Sequence, residues 1–213
     1  MLTLFDYRPS QNAWKVRLLL NHLGTPYTQS WVGIFEGEGR RPDFLAMNPS
    51  GRVPVLQLDD GRTLAESNAI LAYLADGTDY LPGDPFERAK VHQWLSFEQE
   101  QVESVIGALR HWTLTGKLAR RLPALVEMKR NGALDTLRIL DGQLATRPFI
   151  AGARYTIADM SIFAYASRAE EAGLSLDPYP HLRAWIARVE AQPGFLAEMF
   201  PYSIDPHSGN ELP

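Results

Sequence analysis

The fold of the chain is decided by residues 48–74, which read NPSGRVPVLQLDDGRTLAESNAILAYL. Two short apolar runs, Val53–Leu58 and Thr63–Ala65, flank an Asp-Gly pair, and this pattern predicts a β-hairpin. The second run passes directly into Ser67–Ala75, whose apolar residues recur at helical spacing. The stretch therefore predicts two antiparallel strands followed at once by a helix.

Pro54 and the pair Glu66-Ser67 leave hydrogen-bonding groups of this hairpin and helix available to a ligand. Pro54 has no N–H, so it removes a ladder hydrogen bond from the first strand. Glu66 and Ser67 bring a carboxylate, a hydroxyl and unpaired backbone N–H groups together at a helix N-terminus. Unpaired strand backbone beside an anion-binding helix start indicates a site that could hold a small peptide.

The residues before this stretch predict a β-α-β unit. Leu2–Asp6 and Pro26–Val32 have the composition of strands, and Asn12–Leu23 has the apolar pattern of a helix that ends at Gly24. Two strands joined through a helix are expected to be parallel, with a right-handed crossover. With Pro42–Met47 as a short helix, the order β-α-β-α-β-β-α predicts a small α/β domain.

The residues after this stretch predict a linker, a helical domain and a tail. Residues 1–77 form the α/β domain in this prediction, and residues 78–86, rich in Gly and Pro, form the linker. No strand-like alternation follows, so residues 87–200 are expected to be all helical and residues 201–213 to be an irregular tail. The predicted helices are Glu87–Thr115, Leu122–Leu144, Thr156–Ala172, Pro180–Ala191 and a short Pro193–Phe200.

The sequence from Thr156 to Asp159 has the pattern of a capping box, with Asp in the place of the usual Glu. The Thr side chain would cap the helix while the Asp side chain reaches back to the backbone N–H of the Thr. Loss of such a cap costs about 1 kcal/mol of stability, so the expected role of this motif is in folding.

Composition and charge exclude several classes of function. The chain has 213 residues and a formal net charge of −4, without a basic block or a basic–aromatic patch, so nucleic acid is not an expected partner. Because no secretory signal and no apolar run of membrane-spanning length are present, a cytoplasmic protein without a membrane partner is expected. Cysteine is absent and the five histidines lack metal-ligand spacing, so we expect no disulfide, no thiol nucleophile from the protein, no metal and no cofactor.

Three motifs, NPSGRVPVL, ESNAILAYL and YTIADMS, carry a resemblance to a known family. In combination they resemble the cytosolic glutathione transferases, and the chain is similar in character to the bacterial theta- or phi-like members. The resemblance covers about residues 1–200. It implies a thioredoxin-like N-terminal domain, an all-helical C-terminal domain and a homodimer active in detoxification. It also implies an activity, in which bound glutathione, the co-substrate, is activated as a thiolate that attacks a small hydrophobic electrophile.

The resemblance implies how glutathione would be held. The peptide bond before Pro54 is expected to be cis, which would turn the N–H and C=O of Val53 toward the cysteinyl backbone of the tripeptide. Glu66 and Ser67 are expected to bind the γ-glutamyl end, with its α-carboxylate at the helix N-terminus. An edge-strand proline and a simple helix cap are the alternatives for Pro54 and Ser67. The candidates for a cation that binds the glycyl carboxylate are Arg40, Arg41 and Arg52.

The loop between the first strand and the first helix is expected to activate the thiol. A free thiol has a pKa near 8.5, and lowering it by about two units takes roughly 2.7 kcal/mol. A hydrogen bond to a charged group supplies about 1.5–3 kcal/mol, so one well-placed hydroxyl is sufficient. The resemblance points to Ser10, with Asn12 as a second donor and Tyr7 as a rival. The alternative is that Ser10 or Asn12 only caps the helix.

The electrophile site is expected to include Trp112 and His111, although ordinary helix packing is the alternative for each. Two other functions remain open. A glutathione-dependent reductase of disulfides or peroxides would have to use bound thiols alone, because the chain has no cysteine. A non-catalytic binding protein of the same fold is the other, and it is disfavoured because the Val53-Pro54 and Glu66-Ser67 pairs are present.

Overall fold

The computed structural model describes residues 1–212 and divides into two compact units. The first unit contains residues 1–76 together with the part of the chain that starts at Pro193, which we call the C-terminal segment. The second unit contains residues 77–192. Within the described part of the chain, no helix is both long and apolar enough to cross a membrane.

The first unit is built on a four-stranded mixed sheet. The strands β1 (Leu2–Asp6), β2 (Tyr27–Trp31), β3 (Val55–Gln57) and β4 (Thr63–Ala65) lie in the order β2-β1-β3-β4. β1 and β2 are parallel, whereas β3 is antiparallel to both β1 and β4. The predicted order of elements is confirmed. β3 begins just after Pro54, which has no N–H to give to the ladder.

Three helices cover the two faces of this sheet: α1 (Gln11–His22), α2 (Pro42–Met47) and α3 (Ser67–Ala75). Successive residues of a strand point to opposite faces, so β1 contributes to two cores. Leu4 lies in the core formed with α1 and α3, and Phe5 packs against the core that contains Phe44 of α2. This arrangement places the C-terminal end of β1 beside the N-terminus of α1.

The second unit is helical, as predicted. A continuous helix is formed by α4 (Pro85–Phe97), a π-helical stretch (Glu98–Gly107) and α5 (Ala108–Leu114), followed by α6 (Pro123–Leu144), α7 (Ile157–Ala166) and α8 (Pro180–Glu190). In the π-helical stretch, the carbonyl of Gln101 accepts a 2.6 Å hydrogen bond from Thr136 of α6. The helix predicted to reach Ala172 is interrupted after Ala166. It continues only as a 3-10 turn, which ends at Gly173 with a φ of +74°.

The predicted capping box of α7 is confirmed. Thr156 caps the helix, and the carboxylate of Asp159 accepts the backbone N–H of Thr156 at 2.9 Å. The same carboxylate accepts the N–H of Ile150 at 2.8 Å and the indole N–H of Trp185 at 2.9 Å. Burial raises the pKa of Asp159 to about 6, against the opposing effect of these hydrogen bonds. One fully buried side chain therefore joins the start of α7, the loop before it and α8.

The short helix predicted at Pro193–Phe200 is wrong. Residues 193–200 contain no helix, and Gly194 has a φ of +75°. Their carbonyls accept hydrogen bonds from α1 instead: the amide of Asn21 donates to Gly194 O at 2.9 Å, and the indole of Trp14 donates to Leu196 O at 3.2 Å. The segment therefore lies with the first unit and not with the helical one.

Candidate functional site

A tight turn connects β1 to α1 and ends at Ser10. The backbone N–H of Ser10 donates to the carbonyl of Tyr7 at 2.7 Å, and this hydrogen bond closes the turn. The hydroxyl oxygen of Ser10 accepts the N–H of Ala13 at 3.3 Å, so Ser10 is the N-cap of α1. Accepting this bond leaves the hydroxyl proton for another acceptor. The half-buried side chain can therefore cap the helix and donate a hydrogen bond.

The N-termini of α1 and α3 meet through side chains. The hydroxyl of Ser67, the first residue of α3, donates to Oδ1 of Asn12 at 3.1 Å. Ser67 is buried and Asn12 is half-buried. We call Ser10, Asn12 and Ser67 the helix-start cluster. It combines two hydroxyls, one amide and two helix N-termini, which is an environment that favours a bound anion.

Glu66 precedes α3 in a conformation that is rare for a residue with a side chain. Its φ is +65° and its ψ is 111°, and it is the one non-glycine residue with a positive φ in the described residues 1–212. Such a backbone costs of the order of 1–3 kcal/mol and persists where the surroundings impose it, most often at functional sites. The side chain is exposed and makes no capping hydrogen bond to α3.

The loop that leads into β3 carries the cis peptide bond predicted between Val53 and Pro54. Asn48 organises this loop from a buried position: its amide donates to the carbonyl of Arg52 at 2.8 Å. Its Oδ1 accepts the N–H and the hydroxyl of Ser50, at 3.1 and 2.9 Å. Sequence reasoning missed Asn48, although an Asn before Pro and Ser is a recognisable signal for a turn held by its side chain.

Two glycines allow this loop to lie against the preceding 3-10 turn. A Cβ atom at Gly39 would lie 2.3 Å from the carbonyl oxygen of Gly51, and one at Gly51 would lie 2.6 Å from that of Gly39. Gly51 also has a φ of +68°, which a side chain would disfavour. The close contact of the two backbones sets the position of the residues that follow, Arg52 and Val53.

The three candidate cations differ in their surroundings. Arg40 is exposed and donates to the carbonyl of Ser50 at 3.0 Å, so it lies against the loop before Val53. Arg52 is exposed on the same loop. Arg41 forms an exposed ion pair with Asp43 at 3.2 Å. Of the three, Arg40 contacts this loop at Ser50 and Arg52 precedes Val53 in the chain, whereas the side chain of Arg41 is paired with Asp43.

Tyr7 lies in the interior of the first unit. Its side chain is fully buried, with ring centroids 5.0 Å from Trp31, 5.6 Å from Phe35 and 6.2 Å from Tyr202. Burial raises the pKa of the phenol strongly, and the carboxylate of Asp205 raises it further. The helix-start cluster therefore contains Ser10 and Asn12 but not the hydroxyl of Tyr7.

The two residues expected at an electrophile site lie on α5 in the second unit. Trp112 is half-buried beneath the guanidinium of Arg121, whose Cζ lies 5.3 Å from the indole ring. Nε2 of His111 lies 3.4 Å from Nζ of the buried Lys117. Arg121 lines a cavity of about 670 Å³ whose walls are mostly apolar.

A metal site has no support in residues 1–212, where no group of three or more His, Asp or Glu side chains is arranged to hold an ion. At the starts of α1 and α3, the first unit offers the hydroxyls of Ser10 and Ser67 and the amide of Asn12.

Comparison with known proteins agrees with this geometry. Residues 9–76 match the family model "Glutathione S-transferase, N-terminal domain", and residues 123–188 match the corresponding C-terminal domain. The chain is 33% identical to glutathione S-transferase F13 of Arabidopsis thaliana, covering 85% of this chain and 87% of the relative.

Two further relatives extend this likeness. The crystal structure of a glutathione S-transferase from Pseudomonas fluorescens superposes with a TM-score of 0.89 at 38% identity, over 92% of this chain and 97% of that one. Disulfide-bond oxidoreductase YfcG of Escherichia coli (strain K12) is 26% identical over 91% of this chain and 92% of its own length. The chain belongs to the glutathione S-transferase family and is a glutathione transferase.

Proposed function

We propose that this glutathione transferase binds the tripeptide across the first unit and activates its thiol with the hydroxyl of Ser10. The observation that carries the proposal is the helix-start cluster, in which Ser67 donates to Asn12 at 3.1 Å beside the N-cap Ser10. Two helix N-termini and a hydroxyl donor then face one anionic ligand. This is the electrostatic arrangement that a thiolate and a carboxylate both require.

The γ-glutamyl end would lie at the start of α3. The α-carboxylate would accept backbone N–H groups of α3. The hydroxyl of Ser67, which donates to Asn12 in this structure, would rotate to donate to the carboxylate when the ligand binds. The exposed carboxylate of Glu66 would accept the α-ammonium group, and the unusual backbone of this residue supports a role in binding.

The other end of the tripeptide would follow the loop before β3. The backbone of Val53 would pair with the cysteinyl residue as a short added strand. Arg40 and Arg52 are the proposed cations for the glycyl carboxylate, since both lie on or against this loop and Arg41 is paired with Asp43. Pro54 shapes the loop without contributing a side-chain hydrogen bond.

The energetics of thiol activation match what Ser10 can supply. A decrease of about two units in the thiol pKa takes roughly 2.7 kcal/mol. A hydroxyl hydrogen bond to the thiolate contributes about 1.5–3 kcal/mol, and the α1 dipole adds about 0.3–1 kcal/mol. The amide of Asn12 provides a second donor group at the same helix start. Tyr7 is a poorer donor, because its side chain is fully buried and because burial and the carboxylate of Asp205 raise the pKa of its phenol.

In the proposed reaction, the thiolate attacks an electrophilic carbon, the new S–C bond forms, and the leaving group departs with the bonding electron pair. His111 and Trp112 are proposed for the side of the electrophile, because they offer an amphipathic surface on α5. A role in detoxification, a cytoplasmic location and a homodimer belong to the same proposal and rest on family membership. Size-exclusion chromatography with light scattering would report the dimer directly.

The experiment measures the pH dependence of the thiolate ultraviolet absorbance of bound glutathione in wild type, Ser10→Ala and Ser10→Thr. We expect Ser10→Ala to raise the thiol pKa by about one to two units, and Ser10→Thr to keep it near wild type because the hydroxyl is retained. An unchanged thiol pKa and unchanged turnover in Ser10→Ala would remove Ser10 from this role.

Substrate assays separate transfer from reduction. A reactive aryl halide tests transfer, and a hydroperoxide and a small disulfide test the reductase alternative. The similarity to the oxidoreductase YfcG is the reason for testing that alternative. Because the chain has no cysteine, reduction would consume two glutathione thiols and release glutathione disulfide. We expect turnover of the aryl halide to exceed that of the other two substrates.

A further inference from the structure

The C-terminal segment follows α1 along the first unit. Nδ1 of His22 lies 3.0 Å from the carbonyl oxygen of Pro193, beside the hydrogen bond from Asn21 to Gly194. Closer to the start of α1, the fully buried indole of Trp14 donates to Leu196 O and contacts Phe195 at 6.0 Å between ring centroids. Residues from both ends of α1 therefore hold the backbone of the segment.

Phe200 then reaches the turn that precedes Ser10. Its ring lies 5.3 Å from the Cζ of Arg8 and 5.9 Å from the Cζ of Arg17. Arg17 is buried, forms an ion pair with Asp6 and donates to the carbonyl of Arg8 at 2.9 Å. The aromatic ring of the segment thus stacks on a guanidinium that also holds the backbone of the turn.

Tyr202 contacts the turn through the ring of Tyr7. The ring of Tyr202 lies 6.2 Å from that of Tyr7. The buried carboxylate of Asp205 raises the pKa of the Tyr7 phenol, which burial already raises. Asp205 is 5% exposed and accepts the N–H of His207 at 2.8 Å, which fixes its orientation. His207 in turn pairs with Glu36 at 3.1 Å. The end of the segment is therefore attached at several points.

These contacts converge on the two residues that precede Ser10 by two and three positions. The carbonyl of Tyr7 is the group that accepts the N–H of Ser10 at 2.7 Å, and the carbonyl of Arg8 is held by Arg17. A shift of either carbonyl would displace the hydroxyl of Ser10. Hydrogen bonds that stabilise developing charge are sensitive to such displacements. A catalytic group misplaced by about 1 Å can lower the rate by up to about 100-fold.

We propose that Phe200 and Tyr202 are positioning residues for thiol activation, because they fix the Tyr7–Arg8 backbone and thereby the hydroxyl of Ser10. This inference rests on the proposed function, since it assigns these residues an effect that passes through Ser10. It gives the C-terminal segment a role in the chemistry of the first unit, although the segment supplies no group that touches glutathione.

The test compares Tyr202→Ala, Tyr202→Phe and the control Ile204→Ala in the full chain. Ile204 lies in the same 3-10 turn as Tyr202, but its side chain is 44% exposed. The measurements are the thiol pKa of bound glutathione, kcat and KM with an aryl halide, the Kd of glutathione by calorimetry, and the thermal midpoint. Phe200→Leu serves as the second variant if Tyr202→Ala does not fold.

We expect Tyr202→Ala to raise the thiol pKa by about half a unit to one unit and to lower kcat by about three- to tenfold. The KM and Kd for glutathione should change by less than about twofold, because the binding groups on α3 and the Val53 loop are untouched. Tyr202→Phe and Ile204→Ala should resemble wild type. A folded Tyr202→Ala or Phe200→Leu with a wild-type thiol pKa and kcat would overturn the inference.

The double variant Ser10→Ala/Tyr202→Ala distinguishes this inference from the proposed function. If Tyr202 acts through Ser10, its loss should have little further effect once Ser10 is gone. Full additivity of the two effects would overturn the positioning role while leaving Ser10 as the donor. A Ser10→Ala variant with an unchanged thiol pKa would instead overturn the proposed function itself.

Discussion

The N-termini of α7 and α3 both carry a hydroxyl and a carboxylate, but these groups have different hydrogen-bond partners at the two helices. At α7, Thr156 and Asp159 form a complete capping box, and the carboxylate is fully buried among Ile150, Thr156 and Trp185. At α3, the residue before the helix makes no capping hydrogen bond, and the hydroxyl of Ser67 is directed to Asn12 of another helix. The closed start of α7 stabilises the fold, whereas the open start of α3 is the one that we propose to bind a ligand.

The comparison explains why a hydroxyl at a helix start is ambiguous in sequence. Ser10, Ser67 and Thr156 would each be interpreted as caps, and Ser10 and Thr156 are caps in the structure. They differ in the partner of the side chain: Thr156 caps its own helix next to the buried Asp159, whereas the hydroxyl of Ser67 donates to Asn12 of α1. The following predictions test this difference, from the largest expected effect to the smallest.

The closed start should respond most strongly to loss of Asp159. Asp159→Ala leaves the N–H groups of Ile150 and Thr156 and the indole N–H of Trp185 buried without their acceptor, at about 1–3 kcal/mol each when fully unsatisfied. We expect the free energy of unfolding to fall by about 3–5 kcal/mol in urea titrations. Asp135→Ala, on the exposed face of α6, is the control and should change it by less than about 0.5 kcal/mol. A loss below 1 kcal/mol for Asp159→Ala would contradict the role of the buried carboxylate.

The closed start should also depend on pH. The pKa of Asp159 is about 6 in the folded protein, above the value near 3.9 expected for an unfolded chain. Between these values the folded state holds more protons than the unfolded state, so this contribution to stability is present below about pH 4 and is lost as the pH rises to about 6. Relative to Asp159→Asn, wild type should lose up to about 3 kcal/mol over this interval. A difference between the two proteins that is flat or increases with pH would be inconsistent with the raised pKa.

At the open start of α3, loss of the Ser67 hydroxyl should weaken glutathione binding more than it lowers the stability of the fold. Ser67→Ala removes a hydroxyl that donates to Asn12 and is proposed to bind the α-carboxylate of glutathione. We expect the Kd of glutathione to rise at least about tenfold, which is ~1.4 kcal/mol, while the free energy of unfolding falls by less than about 1 kcal/mol. Calorimetry and urea titration measure the two quantities, with Ser96→Ala on the exposed face of α4 as the control. The opposite pattern, with stability lost and affinity kept, would make Ser67 a structural residue.

The smallest effect is expected for the cap of α7. Thr156→Ala should lower the free energy of unfolding by about 1 kcal/mol, and Thr156→Ser should restore most of it because the oxygen acceptor is retained. Glutathione affinity should not change in either variant. A selective loss of affinity in Thr156→Ala would show that α7 influences the glutathione site.

Most of the fold could be predicted because its signals are local. The Asp-Gly hairpin, the periodic helices and the capping box each depend on residues within a few positions of one another. The helix predicted at Pro193–Phe200 failed for the opposite reason. Phe195, Leu196 and Phe200 have an apolar spacing compatible with a helix, but the carbonyls of this stretch are bound by side chains of α1 more than 170 residues away in sequence.

The candidate site shows the same limit. The family resemblance indicated the cis bond at Pro54. Local sequence alone would not, because only about 5–6% of X–Pro bonds in folded proteins are cis. Tyr7 lies three residues before Ser10, and its hydroxyl could not be separated from that of Ser10 by sequence. Packing against Trp31 and Phe35 turns the phenol inward, and that is a property of the assembled core. Asn48 was missed although the Asn-Pro-Ser pattern indicates a turn held by the Asn side chain; the bond from its amide to the carbonyl of Arg52 depends on the folded loop.

At Glu66, the stability of the first unit and the proposed binding of glutathione favour different residues. Glycine would relieve the positive φ at this position and would recover about 1 kcal/mol or more. It would also remove the carboxylate proposed to hold the ammonium group of the ligand. Directed evolution for heat resistance alone should therefore enrich glycine at residue 66, and directed evolution for turnover at low glutathione should retain the acid.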